Sequence, residues 1–169
     1  MTGKIQEIRI EGNVAFVPLT KGHESVVDAA NVPLVAGYKW KALISRGSVY
    51  AYRVDTSGLK PRTIRMHRVI MGEPGGLEVD HISGDGLDNR RENLRIATRS
   101  QNQHNTRKPA HNTSGLKGVG WAKREGKWRA QIAVDGKGRH LGYFATPEAA
   151  HAAYCEASAK LHGEFGRTS

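Results

Sequence analysis

The amino-acid sequence predicts an α+β protein made of small antiparallel sheets. An N-terminal antiparallel β platform leads into a compact strand–loop–strand–helix unit. A small three-stranded antiparallel sheet packed on one C-terminal helix follows. Three observations predict this order. Residues 1–66 carry short apolar runs broken by turn formers, as short strands do. Residues 77–102 pass from an extended run, through a Ser-Gly-Asp-Gly loop, into a second extended run and a helix start. Residues 115–163 hold extended runs about Asp135-Gly136, a strong hairpin signal, and then a helix bounded by Thr146-Pro147 and Gly163.

In chain order, Ile5–Ile10 and Val14–Leu19 flank Glu11-Gly12-Asn13, which reads as a hairpin turn. Ser25–Asp28 is a further short strand, and Val32–Tyr38 a turn or short helix after Asn31. Lys39–Ile44 and Val49–Val54 form a second hairpin. Trp40, Tyr50 and Tyr52 are expected to pack in the core or across strands rather than face a ligand. Arg65–Met71 runs from a strand end into a short helix, with His67 a packed or capping histidine and not a catalytic one. Leu77–His81 and Leu94–Ile96 are strands. Thr98-Arg99-Ser100-Gln101 fits a capping box, which places Asn102 in the first turns of a helix. Residues 103–114 are polar and basic and are broken by Pro109, a linker composition in which His104 and His111 are solvated. Val119–Arg124, Lys127–Val134 and Arg139–Phe144 are the strands of the last sheet. In the middle one Trp128, Ala130, Ile132 and Val134 share a face opposite Arg129, Gln131 and Ala133. The final helix carries an apolar stripe of Ala150, Ala153, Tyr154, Ala157 and Leu161, with Cys155 an inert neighbour. The expected domains are therefore 1–102, a linker at 103–114, and 115–169.

Composition narrows the function. The chain has 169 residues and 38% hydrophobic content, enough for one domain or two small ones. Its formal net charge is +10. Between Arg90 and Arg139 there are 13 Lys or Arg against 3 acids, so the whole excess lies in that span. A basic segment with turns and aromatics points to phosphate backbones. No amphipathic basic helix supports a lipid surface as the partner. Cys155 is the single cysteine, which excludes an internal disulfide and a four-cysteine zinc ribbon. No apolar core or cleavage signal opens the chain and no run approaches a membrane span, so an intracellular protein of the bacterial or phage-infected cytoplasm is expected.

Residues 80–102 hold the side chains suited to chemistry. Asp80 is a hard oxygen donor, and His81 beside it is able to take a proton near neutral pH. Asn93 and Asn102 supply neutral oxygens or clamps. Taken singly, each reads as an ordinary turn, packing or loop residue; the constellation reads as a site. The segments Val79-Asp80-His81, Asp88-Asn89-Arg90-Arg91-Glu92-Asn93-Leu94-Arg95 and Thr98-Arg99-Ser100-Gln101-Asn102 resemble the HNH nuclease family, in its phage and intron branch of homing endonucleases. The resemblance implies a ββα-metal unit at about 77–106, in which Asp80 and Asn102 bind Mg²⁺ or Mn²⁺. It implies His81 as general base and Asn93 as the residue holding the loop that aims it. The reaction implied is phosphodiester hydrolysis to a 5′-phosphate and a 3′-hydroxyl.

The C-terminal segment resembles the Apetala/ethylene-response-factor DNA-binding domain. The matching residues are Gly115-Leu116-Lys117-Gly118-Val119, Gly126-Lys127-Trp128, Leu141-Gly142-Tyr143-Phe144 and the helix from Pro147-Glu148-Ala149-Ala150. That family inserts its sheet into the major groove. Lys117, Arg124, Arg129, Gln131 and His140 fall on or near the corresponding face, and Lys123 and Arg139 join them by charge. Arg129 and Gln131 suit base edges, and lysines suit phosphates. Arg107 and Lys108 in the linker are expected along the duplex backbone. Gly120, Ala122 and Ala133 replace side chains that the plant domains use, so base preference does not carry over. The partner is then double-stranded DNA, bound by a monomer, with no membrane and no small-molecule cofactor beyond the metal. The alternative is a DNA-binding regulator with a non-catalytic nuclease scaffold.

Overall fold

The computed structural model describes residues 7–45, 47–106, 108 and 112–168. It is a mixed α/β structure of several small antiparallel sheets and few helices. The chain divides into two compact units, 1–97 and 98–169. The second unit thus begins at the helix expected to close the 77–102 segment.

The first unit opens with a meander of β1 (Arg9–Glu11), β2 (Val14–Pro18) and β3 (Glu24–Asp28). Gly12, at φ 59°, makes the first turn, where a left-handed backbone favours glycine. A short helix α1 (Val32–Val35) follows, with Pro33 in its first turn where a missing N–H costs nothing. β4 (Lys41–Ser45), β5 (Ser48–Asp55) and β6 (Arg62–Arg65) form a second antiparallel sheet, which runs straight into α2 (Met66–Ile70). β7 (Glu78–His81) pairs with β8 (Leu94–Ala97), with Asp80 opposite Arg95 and His81 opposite Leu94.

One hydrophobic core runs through these pieces. Ala15, Val17 and Val27 come from the first sheet, Trp40, Ala42 and Ala51 from around the second, Met66 and Ile70 from α2, and Val79 and Leu94 from the last hairpin. Trp40 is buried, as expected, and its indole N–H donates to the Val35 carbonyl at 2.8 Å. The β platform and the 77–97 segment are therefore stabilised by the same burial.

Backbone pairing reinforces this. Val26 of β3 bridges Asp88, donating its N–H to the Leu87 carbonyl and accepting from the Asn89 N–H. Gly86 lies so close to β5 that a Cβ would stand 2.4 Å from the Val49 carbonyl oxygen. The long loop between β7 and β8 is thereby fixed against both N-terminal sheets.

The second unit opens on α3 (Arg99–His104), capped as the sequence predicts. Thr98 Oγ1 accepts from the Gln101 N–H at 3.3 Å, and Gln101 Oε1 accepts from the Thr98 N–H at 2.8 Å. β9 (Val119–Ala122), β10 (Lys127–Val134) and β11 (Lys137–Phe144) form a sheet with β10 central. Asp135 and Gly136, at φ 49° and 75°, make the tight turn. α4 (Pro147–His162) starts at Thr146, whose hydroxyl accepts from the Ala149 N–H. Val119, Ala130 and Ala150 are the buried centre of this unit, with Leu116, Trp128, Leu141 and Phe144 around them.

Two expectations change here. The buried residues of α4 are Ala150, Tyr154, Ser158 and His162, and Leu161 is exposed. The burial follows a four-residue step, so polar side chains take the end of the stripe. His162 is accommodated because its Nε2 lies 2.9 Å from the Ala133 carbonyl and its ring stacks on His104. His104 is accordingly a packed ring, not a solvated one. Of the residues placed in the 103–114 linker, Lys108 donates its Nζ–H to the Gly115 carbonyl, and Ser114 Oγ bonds the Leu116 and Val119 carbonyls. Arg107, Pro109 and His111 lie outside the described residues.

Candidate active site and nucleic-acid interface

Asp80 and His81 sit side by side at the end of β7, and both are buried. A buried carboxylate needs a partner. Asp80 Oδ2 accepts from Arg95 Nε at 2.9 Å and from Nη2 at 2.8 Å, across the register pair of the hairpin.

His81 Nε2 lies 3.2 Å from Asn89 Oδ1. Asn89 is fully buried, and its Nδ2 donates to Ser25 Oγ at 2.7 Å. The rings of His67 and Tyr50 surround the imidazole, His67 edge-on with centroids 4.9 Å apart and Tyr50 at 5.9 Å. Burial pushes the His81 pKa down, against the opposing pull of the Asn89 bond and of Asp80, Asp85 and Asp88. A neutral imidazole results, which is the form that accepts a proton. His67 is packed, as expected; burial, aided by the neighbouring His81, Arg65 and Arg68, takes its pKa down to about 3.

Asn93 ties the loop that follows His81. Its Oδ1 accepts from the Ser83 N–H at 2.9 Å, its Nδ2 donates to the Asp88 carbonyl at 2.8 Å, and its backbone carbonyl accepts from Ile82. It acts on the loop; Asn89 is the amide at the imidazole. Sequence reasoning assigned Asn89 no role, although it stands inside the Asp88–Arg95 motif segment. Asp88 and Arg90 form a two-point ion pair at 2.9 and 2.7 Å, which holds the Asp88 carboxyl below its usual pKa. Asp28 Oδ2 accepts the Arg91 N–H, a second clamp from the N-terminal sheet.

Asn102 stands on α3 in the second unit. Among the described residues no three His, Cys, Asp or Glu side chains gather as a metal cage. A magnesium-like ion does not require one. It keeps several waters and takes one or two carboxylates plus substrate phosphate oxygens. Asp80 meets that need as a hard anionic oxygen donor already pairing with a cationic group, so the donor chemistry fits.

On the C-terminal sheet, β10 alternates as expected. Ala130 and Ile132 are buried toward α4, while Arg129, Gln131 and Ala133 are exposed on the other face. Register puts Tyr143 opposite Arg129 and His140 opposite Gln131, with the Tyr143 and His140 rings 4.6 Å apart. This open face bears Lys127, Arg129, Gln131, His140 and Tyr143. Lys123 and Arg124 are exposed in the turn before β10. Two candidates fall elsewhere. Arg139 pairs with Ile132, so its register position is on the helix side of the sheet; charge alone had put it on the open face. Lys117 is turned inward: its Nζ donates to the His104 and Thr106 carbonyls at 3.0 and 2.6 Å, and burial lowers its pKa to about 8. Trp121 lies opposite Trp128, with ring centroids 5.1 Å apart.

Comparison with known proteins bears on the first unit most directly. Residues 66–104 match the HNH endonuclease family, a stretch that holds Asp80, His81, Asn89, Asn93 and Asn102. The chain is 36% identical to Protein 3.8 of Escherichia phage T7 over 94 residues, 56% of this chain and 77% of that protein. This chain belongs to the Protein 3.8 family and carries an HNH endonuclease domain. The chain is also 28% identical over 158 residues to a protein of Acanthamoeba polyphaga mimivirus named as the uncharacterized HNH endonuclease L560, covering 93% of this chain and 75% of that one. No solved structure gives a significant match. The HNH domain points to a nuclease whose substrate is DNA. No helix among the described residues is long and apolar enough to cross a membrane.

Proposed function

We propose that this protein is a sequence-directed, divalent-metal-dependent DNA endonuclease of the homing type. The observation that carries the reading is the buried Asp80–His81 pair inside the HNH domain, its imidazole neutral and held by an amide. β7, β8 and α3 are read as the ββα-metal unit. Asp80 would hold a Mg²⁺ or Mn²⁺ ion, and Asn102 is assigned as second ligand from its place in the Thr98–Asn102 segment of the motif. When bound, such an ion offsets charge developing on the phosphate and on the leaving oxygen.

His81 does the proton work. It accepts a proton from the water that attacks phosphorus, the P–O3′ bond breaks, and a 5′-phosphate and a 3′-hydroxyl remain, the leaving oxygen taking its proton from solvent. Asn93 keeps the loop after His81 in place, and the shared core beneath β7 and β8 keeps the histidine from relaxing.

The C-terminal unit is proposed as a domain of the Apetala/ethylene-response-factor type that reads DNA with its open sheet face. Arg129 and Gln131 are assigned to base edges, and His140, Lys123 and Arg124 to the rim. Lys108 and Arg107 are assigned to the phosphate backbone. Lys117 is withdrawn from the DNA-binding set, because its ammonium already serves two carbonyls, and so is Arg139, because of its register. One active unit per chain predicts a monomer that nicks one strand.

Plasmid nicking in Mg²⁺ tests the reading. Wild type is expected to nick, and EDTA or His81→Ala to stop it. If wild type and His81→Ala are equally inactive yet bind one sequence tightly, the protein is a regulator built on an HNH scaffold.

A further inference from the structure

α3 spans only Arg99–His104, too short a helix to hold its own shape in water, yet it carries Asn102, the residue assigned above as second metal ligand. A helix of this length lasts only where the unpaired groups at its ends find partners. At the N-terminal end the Thr98–Gln101 capping box supplies them from neighbours in sequence. At the C-terminal end the Gln103 carbonyl accepts from the Thr106 hydroxyl at 2.8 Å, and the His104 and Thr106 carbonyls accept from Lys117 Nζ at 3.0 and 2.6 Å. This is the end at which the helix dipole favours a cation. The His104 ring is stacked on His162 at the end of α4, with centroids 3.6 Å apart and planes 12° from parallel.

Lys117 is itself fixed from two sides. Its carbonyl accepts from His151 Nδ1 of α4 at 3.1 Å. The next residue, Gly118, has φ 76°, and a Cβ there would stand 2.1 Å from the Tyr154 ring, so glycine is what lets the turn before β9 approach α4 this closely. The Gly118 carbonyl then accepts from the Gln131 N–H at 2.9 Å, which joins the same turn to the central strand of the sheet. The ammonium is delivered to α3 by a turn pinned to both α4 and β10.

We propose that Lys117 is a positioning residue: it clamps the C-terminal end of α3, with the His104–His162 stack beside it, and so keeps Asn102 in the helical place from which it would serve the metal. This rests on the reading of Asn102 as a ligand. It gives the C-terminal domain a second task beside DNA reading, because one of its own turns completes the helix of the HNH motif. The motif resemblance that puts Lys117 on the DNA face does not reveal the two carbonyls, 13 and 11 positions earlier, that hold its head.

The test compares the full-length wild type with Lys117→Met, which keeps the stem and removes the ammonium, and with Lys117→Arg, which keeps donors for both carbonyls. Hydrogen exchange followed by mass spectrometry reads α3, electron paramagnetic resonance reads Mn²⁺ binding, and gel shift reads DNA affinity. Lys117→Met should exchange faster over 99–105 while β10 and β11 keep the wild-type rate. It should bind Mn²⁺ about 10-fold more weakly and leave DNA affinity unchanged. Lys117→Arg should return both exchange and Mn²⁺ affinity toward wild type. Where Lys117→Met does not fold, Lys117→Gln, which retains a polar head without the charge, carries the measurement and is expected to show the same pattern. Weaker DNA binding with a shallower salt dependence and unchanged exchange in α3 would make Lys117 a phosphate contact and overturn the proposal. A folded variant with wild-type exchange and Mn²⁺ affinity would overturn it as well. Asn102→Ala binding Mn²⁺ as wild type does would instead remove the ligand assignment beneath the proposal, while the faster exchange of α3 in Lys117→Met would stand.

Discussion

The two units handle polar side chains in opposite ways. In the first, Asp80, His81, Asn89, Asn93, His67 and Ser25 are buried, and bonds to neighbours compensate all but His67 Nδ1, which has no partner among the described residues. In the second, Lys127, Arg129, Gln131 and His140 stand exposed along one sheet face whose reverse is covered by α4. A reacting group benefits from fixed partners and little water, because preorganised dipoles then need no rearrangement. A reading surface must shed its water onto another molecule and therefore waits exposed. The difference teaches that the same residue types, imidazole and amide, are enclosed in one unit and exposed in the other, which fits the proposed division between catalysis and DNA reading.

That division is open to attack. If it holds, His81→Ala lowers nicking by about 10²- to 10⁴-fold and leaves DNA affinity, measured by gel shift, where it was. Loss of binding together with activity would mean that the two tasks are not separable.

Buried His67 should make the first unit acid-sensitive. Its folded-state pKa of about 3 lies below the ordinary 6.5, so the unfolded chain binds the extra proton between those values. The stability it contributes is complete above pH 6.5 and is lost as pH falls toward 3. Thermal melts across that window should show a falling Tm. His67→Phe, which keeps an aromatic ring against His81, should flatten the fall; an unchanged slope would show that other groups dominate.

Gly86→Ala is expected to destabilise the protein by about 1–3 kcal/mol, since its methyl group meets both the Val49 carbonyl oxygen and the Tyr50 ring. Denaturant melts measure it. A neutral result would show that the loop after β7 is not held against β5 as tightly as drawn.

The smallest effect is expected on the reading face. Arg129→Ala should cost about 1–3 kcal/mol of affinity for a preferred sequence and relax preference at one base, while nicking at saturating DNA persists. Uniform weakening on all sequences would reduce Arg129 to a phosphate contact.

What could be read from the sequence was what short-range geometry encodes. The Thr98–Gln101 capping box, the turns at Gly12 and Asp135-Gly136, the alternation along β10 and the bounds of α4 each depend on residues within a few positions of one another. The catalytic candidates Asp80 and His81 were legible because one motif segment holds both. Long-range packing decided the rest. Lys117 turns inward because the backbone after α3 offers two carbonyls; Arg139 changes face because a bulge lies between Ala130 and Gln131; and Asn89, beside His81, bonds Ser25 of β3 across 64 positions. Local pattern specifies where strands and helices start and stop, since those energies are local. Which partners enclose a buried histidine depends on contacts that only the folded core assembles.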